Sequence, residues 1–557
     1  MNNLIILISI LLFNSIHLNG QVQINVNSAI KSHTVSPMIQ GFGLIYSFEA
    51  NDIYEDGSMA QLFKDVGAGY LRYPGGAVTT MYHWNDLNGH GWTDNWNGTY
   101  ERANDQDPQN YMDLDEYMAL CEAADLEPML GINMSSGRNY NRQEDGLNEA
   151  VSMLKYCNEK KYEVKYLYLD NENHHKKWPP EEYGNQIVYY VDSIKKYAPD
   201  AKLIGNWTDK FRSNKGSFRT LLNIAGDYID YMDVHWYWKW ENGSWAEWKA
   251  KTPMENETEW YPNGGTFVEE IEYFDNLMVE LGKPHIKLAS MEWNLGPGKY
   301  KDDPTHSRFK TALMQSEMQM QMMQGGLEIA SLWSTHWPND TESDFRFLVS
   351  SSNNYQPTPT AKFYELYKHA LNGDLVQSSS THSQVMCTSV IKDNKAFVYL
   401  LNKANQELYV NISLAGNEIQ AVNQALTFKN PGVLESINVE LNDNHYKLFA
   451  PENTLTMIEF QLKDTGTSGN EIHDKSEIKI YPNPASENVT IRTNKLKGKT
   501  KLELYNMLGL KVSSQAYSSM GNRSIIHSVE HLPNGAYFMV VSDETGNFNN
   551  SKLIVNN

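Results

Sequence analysis

Tyr166-Leu167-Tyr168-Leu169-Asp170-Asn171-Glu172 is a short apolar run that closes on polar residues, and it reads as a buried strand ending at a glutamate. Ile286-Lys287-Leu288-Ala289-Ser290-Met291-Glu292 repeats the form far downstream. In a closed barrel of parallel strands, side chains at the strands' C-terminal ends converge on one mouth, so two carboxyls distant in sequence can face a single bond. The pair therefore points to a barrel first and to carboxylate chemistry second.

Outward from these two runs, from Ser36 to Ala370, short apolar segments alternate with amphipathic ones, the pattern of repeated βα units. Eight candidate strands begin near Ile39, Gly69, Pro128, Lys165, Ala201, Ile229, Ile286 and Glu328, with helical segments such as Asp113 to Ala124 and Phe267 to Leu281 between them. Eight units predict an α/β chain with a (β/α)8 TIM barrel over residues 21–372. An open doubly wound sheet would also want a phosphate-binding glycine loop, and the sequence shows none.

From Gly373 to Lys463 the pattern changes to alternating strands, for example Lys395 to Leu401 and Thr454 to Leu462, which predicts a β-sandwich domain over 373–463. Residues 464–475, rich in Thr, Gly, Ser and Asp, read as a linker, and a small β domain is expected over 476–557. At the other end, the apolar run Leu4 to Phe13 followed by Leu18-Asn19-Gly20 reads as a secretory signal over 1–20, too short to span a bilayer comfortably.

A chain of 557 residues with 41% apolar content has room for several cores. Its 47 basic and 68 acidic residues leave a net charge of −21, which opposes binding to nucleic acid or to an anionic membrane. Cys121, Cys157 and Cys387 are too few and too scattered for a disulfide framework or a zinc site, and they read as buried thiols.

The final segment resembles the sorting tail of the type IX secretion system. The resemblance rests on Tyr481-Pro482-Asn483-Pro484-Ala485, Leu504-Tyr505-Asn506-Met507-Leu508-Gly509, Leu532-Pro533-Asn534-Gly535-Ala536-Tyr537-Phe538 and the terminal Lys552-Leu553-Ile554-Val555, in family order. It implies type IX secretion machinery as a partner and export through the periplasm to the cell surface or beyond. An ordinary sugar-binding β-sandwich is the alternative.

The barrel resembles clan A retaining glycoside hydrolases, most nearly the family 51 α-L-arabinofuranosidases. The similarity is carried by Leu71-Arg72-Tyr73-Pro74-Gly75-Gly76, by Tyr82-His83-Trp84, by Leu114 to Glu122 leading to Glu127-Pro128, by Asn171-Glu172, by His235-Trp236-Tyr237 and by Glu292-Trp293-Asn294. It implies Glu172 as general acid/base and Glu292 as nucleophile, a division the chemistry itself requires: one carboxyl protonates the leaving oxygen while the other, ionised, attacks the anomeric carbon. Arg72 would hold the nucleophile ionised, Asn171 would meet the sugar's 2-hydroxyl, and Tyr237 would hydrogen-bond Glu292 beside His235. Trp84 and Trp333 complete the implied substrate-binding set, Trp333 being preferred to Trp337 as the apolar platform. Arg72 could instead close the barrel mouth as a salt bridge, and His235 and Tyr237 could be packing residues.

Two departures concern the sugar. Ala77 follows the Pro-Gly-Gly turn where the family usually has Asn, and Glu49 lies far along a first strand that lacks the Phe-x-Glu-His pattern. The expected activity is thus retaining hydrolysis of plant or algal polysaccharide or oligosaccharide, with arabinofuranoside the nearest substrate. An endo-acting enzyme, agarase-like or xylanase-like, is the enzymatic alternative, and a non-catalytic glycan-binding protein is the alternative from another class. The long segments 85–110 and 239–265 suit either a pocket or a cleft. No metal and no cofactor are expected: His83, His90, His174 and His175 lie near the mouth, but adjacent His174-His175 does not place both rings on one ion.

Overall fold

The computed structural model describes residues 22–556 except 88, 90–91, 106, 176, 208–210, 212–214, 241–242, 257–264, 297–304, 339, 341–345, 443–444, 464–478, 493–498, 507–510, 518–523 and 544–547. The signal expected over 1–20, the linker expected over 464–475 and His90 fall outside the described residues.

The chain opens with β1 (Val22–Thr34) and then enters a closed parallel barrel of β2 (Gly41–Gly43), β3 (Tyr70–Tyr73), β4 (Glu127–Ile132), β5 (Tyr166–Leu169), β6 (Lys202–Asn206), β7 (Tyr231–Trp238), β8 (Lys287–Leu295) and β9 (Ile329–Leu332). Each strand begins within two residues of its predicted start. The barrel interior is filled by Met38, Tyr70, Met129, Tyr168, Ile204, Tyr231, Ala289, Met291 and Ile329, so the cylinder is plugged below and open only above the strand ends. The crossover helices are anchored by their first turns. Asp113 and Glu116 form a reciprocal capping box on Leu114–Ala124, and Thr266 and Glu269 form another on Phe267–Glu280.

Beyond the barrel lies a ten-stranded sheet built mainly from residues 374–462. The sequence reading began the barrel at residue 21, but β1 pairs antiparallel with Asp374–Ser380 and parallel with Leu408–Ala415, in the middle of that sheet. Its alternation of buried Val22, Ile24 and Val26 with outward polar residues is the pattern of a half-buried strand, not of a barrel strand covered on both faces.

The helix Arg308–Gly325 is wedged between barrel and sheet and is buried almost all round. Its sequence is polar, so each buried side chain needs a partner. Gln315 donates to Asn294, Gln319 to the Ile39 carbonyl, Gln321 to the Met254 carbonyl and Gln324 to the Cys387 carbonyl. Glu317 pairs at 2.7 Å with Lys403 of the sheet, both side chains fully buried, and Lys403 also donates to the Lys251 carbonyl and lies 4.3 Å from the Trp248 ring centre. Burial pulls the Lys403 ammonium below its ordinary range against the opposing pull of Glu317. Lys403→Met should therefore cost about 3–5 kcal/mol by stranding a buried carboxylate, and adding Glu317→Met should recover much of it. Denaturant midpoints of the two variants check this.

The C-terminal segment packs a three-stranded sheet against a four-stranded one around Val489, Ile491, Leu502, Leu504, Met539 and Val541. Its sequence motifs have a physical role here. Asn483 donates to the Lys552 carbonyl at 2.9 Å and accepts from Ile554 N–H at 2.7 Å, clamping the last strand. Cys121, Cys157 and Cys387 are buried and unpaired. Among the described residues, no helix is long and apolar enough to cross a membrane.

Candidate active site

Glu172 and Glu292 meet at the barrel mouth. One oxygen of each, together with a ring nitrogen of His235, lie within 4.8 Å of one another. Glu292 is fixed by β8 itself, whereas Glu172 sits just past β5 with φ of 48° in the left-handed region, unusual for a residue with a side chain. Its N–H donates to Asn206 Oδ1 at the end of β6, a contact that holds this turn in place.

Glu292 is nearly enclosed. Arg72 Nη1 donates to its Oε1 at 2.7 Å and Tyr237 Oη donates to its Oε2 at 3.0 Å. Arg72 is fully buried, lies 4.7 Å from the Tyr168 ring centre and also donates to Asn171 Oδ1 at 2.5 Å. Burial alone would loosen the guanidinium's proton, but the Glu292 charge more than offsets this and pushes its proton affinity up. A fixed cation against a carboxylate makes a short, charge-assisted hydrogen bond that orients it.

The turn Gly75-Gly76 explains why glycine follows Pro74. A Cβ at Gly76 would stand 2.6 Å from Glu292 Oε1 and 2.9 Å from the Trp333 ring, so only glycine lets β8 and β9 bring these groups together. Trp333 thus lines the mouth beside the nucleophile candidate, as expected, and Asn171 is brought there too. The Asn171 Nδ2 is buried and has no hydrogen-bond partner among the described residues.

Trp84 departs from expectation. Its indole N–H donates to Ser152 Oγ at 3.0 Å and its ring packs 5.0 Å from Tyr156, which places it against the helix Gln143–Lys160 in the barrel wall. The residue follows a 3-10 turn over Ala77–Met81 that rotates it outward, a rotation that sequence spacing does not encode. Of the tryptophans in and after β7, Trp236, Trp238 and Trp248 are buried packing residues, while Trp240 is exposed and meets Tyr237 edge to face at 5.3 Å.

Glu49, placed doubtfully by sequence, is buried at the mouth. His336 Nε2 lies 2.8 Å from its Oε2 and Tyr54 donates to the same oxygen, so the carboxyl ties the loops after β2 and β9. His83 is likewise occupied, between Asp94 at 3.1 Å and Glu149 at 2.9 Å. Burial pulls its proton affinity down, but the two carboxylates raise it to about 9.

Two residues beneath the carboxyl pair were not singled out by sequence, Asp233 and Asn206. His235 Nδ1 lies 2.8 Å from Glu172 Oε1 and 3.3 Å from Glu292 Oε2, and its Nε2 lies 3.1 Å from Asp233 Oδ2. Asn206 Nδ2 donates to Asp233 and lies 3.2 Å from the same Nε2. The signal available was Met232-Asp233-Val234-His235, where alternation puts an acid two residues below the histidine on one strand face. Burial pulls the ring's proton affinity down, but Glu292, Asp233 and Glu172 together raise it to about 10. Burial would raise Glu172, but His235, with His175 and His174, holds it down at about 2.

Glu172, His235 and Glu292 are also the set best spaced to hold a cation among the described residues. Arg72 and Tyr237 already occupy both Glu292 oxygens, and Asp233 takes the far ring nitrogen. A cation between Glu292 Oε2 and His235 Nδ1 would compete with the Tyr237 hydroxyl already on that oxygen, so the donor set fits hydrogen bonding better than a metal.

Comparison with known proteins agrees with this geometry. Residues 62–256 match the family model described as alpha-L-arabinofuranosidase 1 domain, a span that includes Arg72, Asn171, Glu172, His235 and Tyr237 and ends before Glu292. Residues 479–556 match the secretion system C-terminal sorting domain, so the chain carries an export address. Alpha-L-arabinofuranosidase C of Emericella nidulans is 30% identical over 168 residues, 26% of this chain and 31% of that protein. An intracellular exo-alpha-(1->5)-L-arabinofuranosidase of Acetivibrio thermocellus is 24% identical over 225 residues, 36% of this chain and 42% of that protein. The matches thus span less than half the length of these relatives. In fold, the chain is similar to the GH51 arabinofuranosidase from Xanthomonas axonopodis pv. citri, with TM-score 0.59 and 15% identity over 79% of this chain and 100% of that one. A bifunctional glucanase-xylanase protein from a metagenome library gives TM-score 0.58 and 17% identity, covering 80% and 99%.

Proposed function

We propose that the chain is an exported retaining glycoside hydrolase that releases arabinofuranosyl units from plant or algal polysaccharide. The observation that carries the proposal is the approach of the Glu172 and Glu292 oxygens to within 4.8 Å at one open mouth. Retaining enzymes hold their carboxyls roughly 5–5.5 Å apart, whereas inverting ones need about 6.5–9.5 Å to admit a water.

In this reading Glu292, oriented by Arg72 and Tyr237, attacks the anomeric carbon while Glu172 protonates the departing oxygen. Water, deprotonated by Glu172, then cleaves the glycosyl ester. The open Asn171 Nδ2 donates to the sugar's 2-hydroxyl, and Trp333 covers one sugar face. The catalytic unit spans the barrel, the ten-stranded sheet braces it, and the segment from 476 onward directs export through the periplasm by the type IX machinery.

The test is an assay of purified protein on aryl α-L-arabinofuranosides and on arabinan, arabinoxylan and algal galactans, in the presence of excess chelator. Hydrolysis with first-formed product of retained anomeric configuration is expected, undiminished by chelator. Inverted product, or turnover lost with the chelator, would refute the mechanism. Release of oligosaccharides in place of monosaccharide would assign the endo-acting alternative.

A further inference from the structure

We propose that Trp92 and Trp240 are sugar platforms on opposite sides of the mouth, which hold a polysaccharide main chain across it so that the unit cut is a branch hanging from that chain. The inference rests on the hydrolase reading above and names the form of its substrate.

The two most exposed tryptophans among the described residues are Trp92, at 44%, and Trp240, at 39%. Both lie beyond the C-terminal ends of barrel strands, Trp92 in the segment after β3 and Trp240 two residues after β7. In the ring β2-β3-β4-β5-β6-β7-β8-β9 these two strands stand opposite each other, with β5 on one arc between them and β8 on the other. A chain running from one tryptophan to the other therefore passes between Glu172, just beyond β5, and Glu292, on β8. Contact ties the second platform to the chemistry. Trp240 meets Tyr237 edge to face at 5.3 Å, and Tyr237 holds Glu292.

A single exposed indole needs no explanation; two that are anchored and face each other across the carboxyls do. Two residues beyond Trp92, Asp94 is 5% exposed, and its Oδ1 lies 3.1 Å from His83 Nε2 and accepts from Trp96 N–H at 2.8 Å, while its Oδ2 accepts from Ser136. The Trp96 ring lies 4.7 Å from the His83 ring and 3.9 Å from the Arg142 guanidinium, which pins the segment that presents Trp92. Trp92 itself ends an aromatic row, 6.2 Å from Phe48, which lies 5.2 Å from Trp337. Across the mouth, a Cβ at Gly296 would stand 2.6 Å from the Trp240 Cα, so glycine lets the end of β8 press on the backbone that carries this indole. Gly296 N–H also donates to the Trp238 carbonyl at 2.8 Å. Platforms fixed in advance lose little freedom on binding, and the negative face of an indole suits the C–H face of a sugar ring.

The form of the substrate follows from the two sides. When a terminal sugar is cut off, that sugar alone occupies the mouth, and everything beyond the cut bond belongs to the leaving group. A leaving group that reaches both rims continues in two directions from the cut bond. That describes a main chain substituted in its interior; a linear chain trimmed from its end would fill one platform only.

Arabinoxylan, which carries arabinofuranosyl branches, and linear arabinan are the polymeric probes, with an aryl arabinofuranoside as reference. Unaltered protein should show the higher kcat/KM per arabinofuranosyl unit on arabinoxylan. Trp92→Ala and Trp240→Ala should each lower the ratio of kcat/KM on arabinoxylan to that on the aryl glycoside by roughly 3- to 30-fold, chiefly through KM. Trp92→Phe, which keeps an aromatic face, should retain most of the ratio. A ratio unmoved in both alanine variants, or equal rates on the two polymers before substitution, would overturn the proposal. A second readout needs no turnover. In the Glu292→Gln background arabinoxylan should retard the protein in a native gel, and adding Trp92→Ala should weaken that retardation. Retardation unchanged by Trp92→Ala, or a dimer of the unaltered protein that Trp92→Ala splits, would give the indoles another task and overturn the proposal. Unaltered protein inert on every aryl glycoside and polymer would instead bring down the hydrolase reading itself.

Discussion

Glu292→Gln should lose hydrolysis by more than about 10^4-fold, because a carboxamide cannot form the glycosyl ester and no second carboxylate stands in its place. Glu172 is the only other carboxyl within 4.8 Å among the three grouped side chains, and His235 holds it away from the nucleophile's position. The amide keeps one acceptor for Arg72 and still fits above Gly76, which has no Cβ to crowd it. Arg72 remains buried with Asn171 and the Met291 carbonyl as partners, so the fold should survive with a loss of about 1–3 kcal/mol. Circular dichroism melting and the rate on an aryl arabinofuranoside together check both halves. A folded variant with an unchanged rate would remove Glu292 from the chemistry.

The barrel was legible because its strands are buried on both faces and therefore read as unbroken apolar runs, with polar residues only at their ends. Glu172 and Glu292 were visible for the same reason, since each terminates such a run, whereas Arg72 and His235 were named by the resemblance of their motifs. What sequence did not resolve depends on rotation about a turn or on pairing at long range. Trp84 lies three residues past the 3-10 turn and packs into the barrel wall. β1 pairs with strands more than three hundred residues downstream, a register set by the sheet's core and not by anything local. Asp233 was hidden because an acid inside a strand reads as an exposed alternation. Only the structure puts it under His235, with Asn206 and Met291 completing its shell. Glu49 shows the converse, since its distance along the chain disguises a buried carboxyl at the mouth.

Glu172→Ala should split the two half-reactions in a way that no structural defect imitates. On substrates with sugar leaving groups, glycosylation should fall by roughly 10^2–10^4-fold, since the departing oxygen must then leave unprotonated. On dinitrophenyl glycosides that step should be nearly untouched, and the slow step becomes attack of water, which has lost its base. A burst of dinitrophenol followed by a slow steady rate is the expected trace. Azide, a nucleophile that needs no base, should restore turnover and give a glycosyl azide of retained configuration, because it enters from the face that Glu172 vacates. The outcome that would refute the assignment is equal loss on good and poor leaving groups with no response to azide. That pattern would mean Glu172 supports the mouth without exchanging a proton with the substrate. The turn that carries Glu172 is held through its backbone N–H by Asn206 as well as through the side chain's contact with His235, so truncation to alanine removes the proton donor and keeps the backbone anchor.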